Sequence, residues 1–137
     1  MIILSVDYGD KRTGLAVCDK LEMLASPVKV ITTDDREKLI DEICAVAAER
    51  SVERIVVGLP KNMDGSEGFR AEACREFADA LKEKSGIGVV MQDERLTSVS
   101  AHNILNATNT RGAKRKAVVD AVSAVLILED YLRKSKR

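Results

Sequence analysis

Ile2-Ile3-Leu4-Ser5-Val6-Asp7-Tyr8-Gly9-Asp10-Lys11-Arg12-Thr13-Gly14-Leu15-Ala16-Val17-Cys18 is the stretch that decides the fold. Its first five residues are a short apolar run rich in β-branched side chains, which reads as a buried strand. Asp7-Tyr8-Gly9-Asp10 is a turn signal. Gly14 to Cys18 then reads as a second strand, close enough to form a hairpin with the first. Val28-Lys29-Val30-Ile31-Thr32 supplies a third strand after a turn around Ser26-Pro27. The chain therefore opens as an antiparallel meander.

Beyond the meander, helix and strand alternate. Asp34 followed by Glu37 marks a helix start, with Leu39, Ile43, Val46, Ala47 and Arg50 at helical spacing. Arg54-Ile55-Val56-Val57-Gly58 is continuous in apolar character and reads as a central strand. A glycine-bearing loop over Leu59–Gly68 leads into a helix with Phe69, Ala73, Phe77, Ala80 and Leu81 on one face. Gly88 to Gln92 is a fifth strand, ending at Asp93-Glu94. Ser98 caps a short helix through Ile104 and Leu105; Asn106 to Gly112 is polar, and a last helix runs from about Lys116 to Leu132.

Two right-handed crossovers added to the meander give an α/β fold. The expectation is a five-stranded mixed sheet, with strands 1–3 in antiparallel meander plus two parallel strands, flanked by helices. Chemistry in such sheets gathers at the carboxyl ends of the central strands. No internal repeat or linker divides the chain, so residues 1–137 read as one domain.

A chain of 137 residues with 45% hydrophobic and 32% charged side chains can bury a self-sufficient core. Aromatics make up only 3%, with no Trp, which argues against a binder relying on a row of stacked rings. No apolar run approaches the ~20 residues of a membrane span, and Asp7 interrupts the first run too soon for a secretory signal. Cys18, Cys44 and Cys74 are odd in number and form no CxxC pair. They read as reduced thiols of a cytoplasmic protein. His102 is the only histidine, which excludes a His-rich zinc site and argues against a Ser–His–Asp hydrolase.

The formal net charge is zero, yet it is unevenly spread. Up to Glu94 the chain carries 13 basic and 19 acidic side chains; after it, 9 basic and 3 acidic. No acid falls between Arg95 and Val119, whereas Arg111, Lys114, Arg115 and Lys116 cluster before Asp120. A local basic surface suits a phosphate backbone, and a solvated helix start is the plain alternative.

Three acids stand where structure alone has little use for them. Asp7 and Glu94 end strands, and Asp120 interrupts Ala117–Leu128, a helix apolar nearly all round. An unpaired carboxylate there costs several kcal/mol unless it keeps water, a cation or a proton. Singly, each has a structural explanation: a turn at Asp7, Arg95 beside Glu94, Lys116 one turn before Asp120. Jointly, they would converge at one sheet edge if strands one and four are neighbours and the last helix packs beside them. Converging carboxylates suit Mg²⁺ or Mn²⁺, and two such ions can clamp a scissile phosphate. Asp93 is the alternative to Glu94, because alternation puts the two on opposite faces.

Four blocks resemble a known family: Val6–Ala16, Val57–Gly68, Asp93-Glu94-Arg95-Leu96-Thr97, and Val119–Val122 with Ala124–Leu128. They look like the YqgF (RuvX) family of the ribonuclease H-like superfamily, which is similar to the RuvC resolvases. The resemblance spans essentially the whole chain. It implies a ribonuclease H-like fold and a cytoplasmic bacterial nuclease that matures the 5′ end of pre-16S rRNA or, in some members, resolves Holliday junctions. Carried over residue by residue, the acidic positions are Asp7, Glu94 and Asp120. Phe69 stands where a Pro is common and Cys18 where a Ser is usual; neither touches a candidate ligand.

The reading from these residues is a metal-dependent nuclease acting on structured nucleic acid, pre-rRNA first and branched DNA second. Asp7, Glu94 and Asp120 would hold Mg²⁺ or Mn²⁺, and Arg12, Arg95, Arg111, Lys114, Arg115 and Lys116 would position phosphates. Monomer and homodimer both stay open. One competitor is a nucleic-acid-binding factor that does not cleave. Another is a nucleotide-binding relative of the actin-like ATPases, since Asp7–Gly14 resembles their phosphate-binding hairpin; a plain hairpin with glycines at positive φ would look the same. Actin-like kinases close two domains on the nucleotide, and one domain of this length cannot. Lys61–Gly68 reads as a mobile loop touching substrate.

Overall fold

The computed structural model describes residues 1–9, 11–22, 24–60, 68–93 and 112–135, with backbone alone for 112–121 and 135. Strands β1 (Ile3–Asp7), β2 (Arg12–Cys18) and β3 (Ala25–Thr32) are followed by helix α1 (Arg36–Glu49) and strand β4 (Arg54–Leu59). Helix α2 (Phe69–Ser85), strand β5 (Gly88–Asp93) and helix α3 (Gly112–Ser135) complete the described elements. The strands form one five-stranded sheet in the order β3-β2-β1-β4-β5. β1 pairs antiparallel with β2 and parallel with β4; β5 is parallel to β4. This is the mixed sheet expected from the sequence, with strands one and four adjacent.

Each face of the sheet carries its own core. Leu4, Val6, Leu15, Ile55 and Val57 pack with Leu39, Ile43, Phe77 and Leu81 of α1 and α2. Ile3, Ala16, Cys18 and Val56 pack with Ala124, Ile127, Leu128 and Leu132 of α3. Alternate residues of β1 thus point to opposite layers, the period-two pleat of a strand buried on both sides. Cys18, Cys44 and Cys74 are all free thiols. Burial pushes the Cys18 thiol up, so it stays protonated and serves packing, not nucleophilic chemistry.

Several boundaries differ from the expectation, each for a local reason. β3 begins at Ala25 and runs through Pro27, because an edge strand with a register shift opposite Leu15/Ala16 tolerates a missing N–H. Asp35, not Asp34, caps α1: its carboxylate accepts from the Glu37 and Lys38 N–H groups at 3.0 and 3.2 Å. The end of α2, for which the sequence set no bound, is at Ser85, where Gly86 at φ 69° stops it and donates to Lys82 O at 3.0 Å. α3 starts at Gly112, one turn earlier than the apolar pattern, since Ala113 to Lys116 are good helix formers. Phe69 is not on the packed face of α2. Its side chain is 80% exposed, and Ala71, Cys74, Phe77, Ala78 and Leu81 form the buried stripe.

Candidate active site at the carboxyl edge of the sheet

Asp7 is the last residue of β1 and half-buried. The chain turns immediately after it. Tyr8 stacks its ring on Phe77, centroids 4.1 Å apart and 4° from parallel, so the turn is held against α2. The Arg70 guanidinium donates to the Tyr8 carbonyl at 3.2 Å. Gly9 is needed for close approach: a Cβ there would lie 2.2 Å from the Arg12 carbonyl oxygen. Its φ is not positive, so crowding, not left-handed backbone, dictates glycine here.

Two hydrogen bonds fix how α3 lies across the sheet. The buried Ser5 hydroxyl donates to the Ala124 carbonyl at 2.6 Å. At the start of β4, Arg54 Nη1 donates to Tyr131 Oη at 2.7 Å, level with Ile3 of β1. The helix therefore runs antiparallel to β1. Position 120 lies one turn before Ala124, ~6 Å along the helix axis. Asp7 lies two residues beyond Ser5, ~6.6 Å along the strand and on the same face. Both steps lead to the same edge, so the backbone carries position 120 alongside Asp7.

The pleat separates Asp93 from this place. Val6 pairs with Val57, and Val57 with Met91; all three belong to the α1–α2 face. Asp93, two residues past Met91 and paired with Leu59, falls on that face too. Asp7 is on the other. Gln92 takes the α3 face opposite Gly58, is 6% exposed, and donates from Nε2 to the Asp93 carbonyl at 3.4 Å. Glu94 lies outside the described residues.

Arg12 opens β2 at the same edge, paired with Thr32 and half-buried. Lys114, Arg115 and Lys116 occupy the first turns of α3, which hold no acidic residue. Arg95, Arg111, His102, the 98–105 helix and the loop over 61–67 lie outside the described residues. Among the described residues no group of three His, Cys, Asp or Glu forms a metal site; of the proposed ligands only Asp7 and the alternative Asp93 have described side chains.

Sequence reading overlooked Ser5, Arg70, Gln92 and the Arg54–Tyr131 pair. Ser5 had a signal, a hydroxyl inside an apolar strand, as did Gln92, a polar side chain just before a strand-end acid. The other contacts join residues 62 and 77 positions apart, which no local pattern reveals.

The profile of the RuvX family, described as "Holliday junction resolvase", matches residues 1–134. A relative from Halothermothrix orenii is 43% identical over 132 residues, covering 96% of this chain and 94% of that protein. One from Lachnospira eligens is 41% identical over 140 residues and covers all of both. The chain belongs to the RuvX family. Both relatives carry the name "Putative pre-16S rRNA nuclease". Among solved structures it is similar in fold to T. thermophilus RuvC in complex with Holliday junction substrate, with TM-score 0.58, 14% identity, and coverage of 98% and 96%. The fowlpox virus Holliday junction resolvase matches at TM-score 0.57, 14% identity, and coverage of 98% and 99%. This RuvX chain thus has the ribonuclease H-like fold of the resolvases.

Proposed function

We propose that this RuvX protein is a metal-dependent phosphodiesterase that trims the 5′ end of pre-16S rRNA in the cytoplasm. The observation carrying the reading is the antiparallel course of α3 along β1, set by the Ser5–Ala124 and Arg54–Tyr131 hydrogen bonds, which carries the backbone at position 120 toward the Asp7 edge. Glu94 follows directly in sequence on Asp93, the last residue of β5. Asp7, Glu94 and Asp120 are hard oxygen ligands from three separate elements, the donor set that suits Mg²⁺ or Mn²⁺. When bound, such an ion stabilises charge on the phosphoryl oxygens and activates the attacking water.

The chain's own residues then bind and orient. Lys114, Arg115 and Lys116 stand at a helix N-terminus, where cations oppose the helix dipole; a phosphate beside them relieves that conflict. Arg12, Arg95 and Arg111 serve the same role toward backbone phosphates, which positions the substrate without reading its bases. No helix of the described residues is long and apolar enough to cross a membrane.

The family description favours a second substrate, the four-way DNA junction. A side-by-side assay with a pre-16S rRNA fragment and a four-way junction, in Mg²⁺ and in Mn²⁺, decides. Chelator-sensitive cleavage of the RNA at its 5′ leader is the expected result. Cleavage of the junction alone would make the protein a resolvase, and binding without cleavage of either would make it a non-catalytic factor.

A further inference from the structure

Gln92 is buried with its amide only half used. It is 6% exposed, and among the described residues the amide makes one hydrogen bond, from Nε2 to the Asp93 carbonyl at a long 3.4 Å. That contact fixes which end of the amide is which, since Oε1 turned toward a carbonyl oxygen would be repelled. Among the described residues no group donates to Oε1. A buried amide oxygen without a donor is costly and calls for a partner. Its place in the sheet narrows the choice. Gln92 pairs with Gly58 of β4, and Gly58 stands one step past Val57, the partner of Val6. Asp7, one step past Val6, is on the same α3 face and pairs with Gly14 of β2. One row across the sheet therefore reads Gly14, Asp7, Gly58, Gln92. Gly58 puts no side chain between the carboxylate and the amide, whose backbones lie two strand spacings apart, ~10 Å.

The missing partner of Oε1 has to be a donor. Along a nucleic-acid backbone the phosphate, ester and ring oxygens only accept. The ribose 2′-hydroxyl alone donates, and DNA lacks it. We infer that Gln92 Oε1 accepts a hydrogen bond from the 2′-hydroxyl of a nucleotide beside the bond to be cut, and so selects RNA over DNA. The inference rests on the hydrolase reading above and adds to it the residue that tells the two nucleic acids apart.

The test scans the 5′ leader of a short pre-16S rRNA hairpin, one nucleotide at a time, with 2′-deoxy, 2′-O-methyl and 2′-amino substitutions. Binding is measured in the cleavage-deficient Asp7→Asn background, with and without Gln92→Met. At one position the 2′-deoxy and 2′-O-methyl groups, which cannot donate, should weaken binding about 2- to 12-fold, and the 2′-amino group, which can, should not. Gln92→Met keeps the shape and removes the amide, so it should bind all three alike at that position. Its melting temperature should equal or exceed the parent's, because an apolar group replaces an unsatisfied one. Gln92→Leu supplies a second apolar variant should Gln92→Met not fold. A leader with no position sensitive to the 2′ group, or unchanged sensitivity in both variants, would overturn the inference. Loss of Mn²⁺ binding on Gln92→Met alone would overturn it too, by making the amide a metal ligand. Because the readout is binding, the two readings fail separately. Selection by the 2′ group without cleavage removes only the hydrolase reading, and RNA cleavage indifferent to that group removes only the role of Gln92.

Discussion

At Asp7 a single methylene joins the end of β1 to the carboxylate proposed to hold the metal. Asp7→Asn keeps shape and hydrogen-bonding size while removing the charge, so it should abolish cleavage. Stability should change by no more than about 0.5 kcal/mol, and any shift upward reflects relieved repulsion among the acids. Activity and thermal melting on the same preparation check both. Gly9→Ala acts differently: its Cβ meets the Arg12 carbonyl at 2.2 Å. Backbone must shift, costing about 1–3 kcal/mol, and the turn carrying Asp7 moves with it. A melting temperature equal to wild type would show that the crowding is absent in solution. Asp93 was indistinguishable from Glu94 in sequence because β5 shows no clean polar–apolar alternation. Its pairing with Leu59 settles its face, and Asp93→Asn should keep metal-dependent cleavage while Glu94→Gln loses it.

Among the elements, α3 does most to assemble the edge. It is held by a buried hydroxyl at mid-length, Ser5 to Ala124, and by Arg54 to Tyr131 near its end. Ser5→Ala should cost about 0.5–1.5 kcal/mol in stability, the usual net value of one hydrogen bond. It should also lower activity more than its stability loss explains, because position 120 loses its register against β1. Urea melts read with single-turnover rates separate the two effects. The opening of the same helix bears the basic cluster. Neutralising Lys114, Arg115 and Lys116 together should flatten the salt dependence of binding by up to about 0.9 per lost phosphate contact on duplex DNA. An unchanged slope would mean these side chains face solvent alone.

For the whole molecule, strand order and layer assignment were legible because apolar runs of the right length alternate with helical periods. The boundaries that moved, at Ala25, Asp35 and Gly112, depend on a cap, a bulge and an edge position that only tertiary context reveals. The candidate site was half legible. Asp7 and Asp120 stood out as charges in apolar runs, yet their adjacency rests on Ser5 and Tyr131, partners 119 and 77 residues away. Phe69 was misplaced because its spacing continues that of Ala73, Phe77 and Ala80, whereas the buried stripe of α2 runs through Ala71, Cys74, Phe77, Ala78 and Leu81. The central claim is that Asp7, Glu94 and Asp120 form one metal site on the α3 face. Calorimetric titration of Mn²⁺ into wild type, Asp7→Asn, Asp120→Asn and Asp93→Asn tests it most directly. The first two variants should lose the binding isotherm and Asp93→Asn should keep it. Unchanged affinity in Asp7→Asn and Asp120→Asn, or its loss in Asp93→Asn alone, would contradict the account.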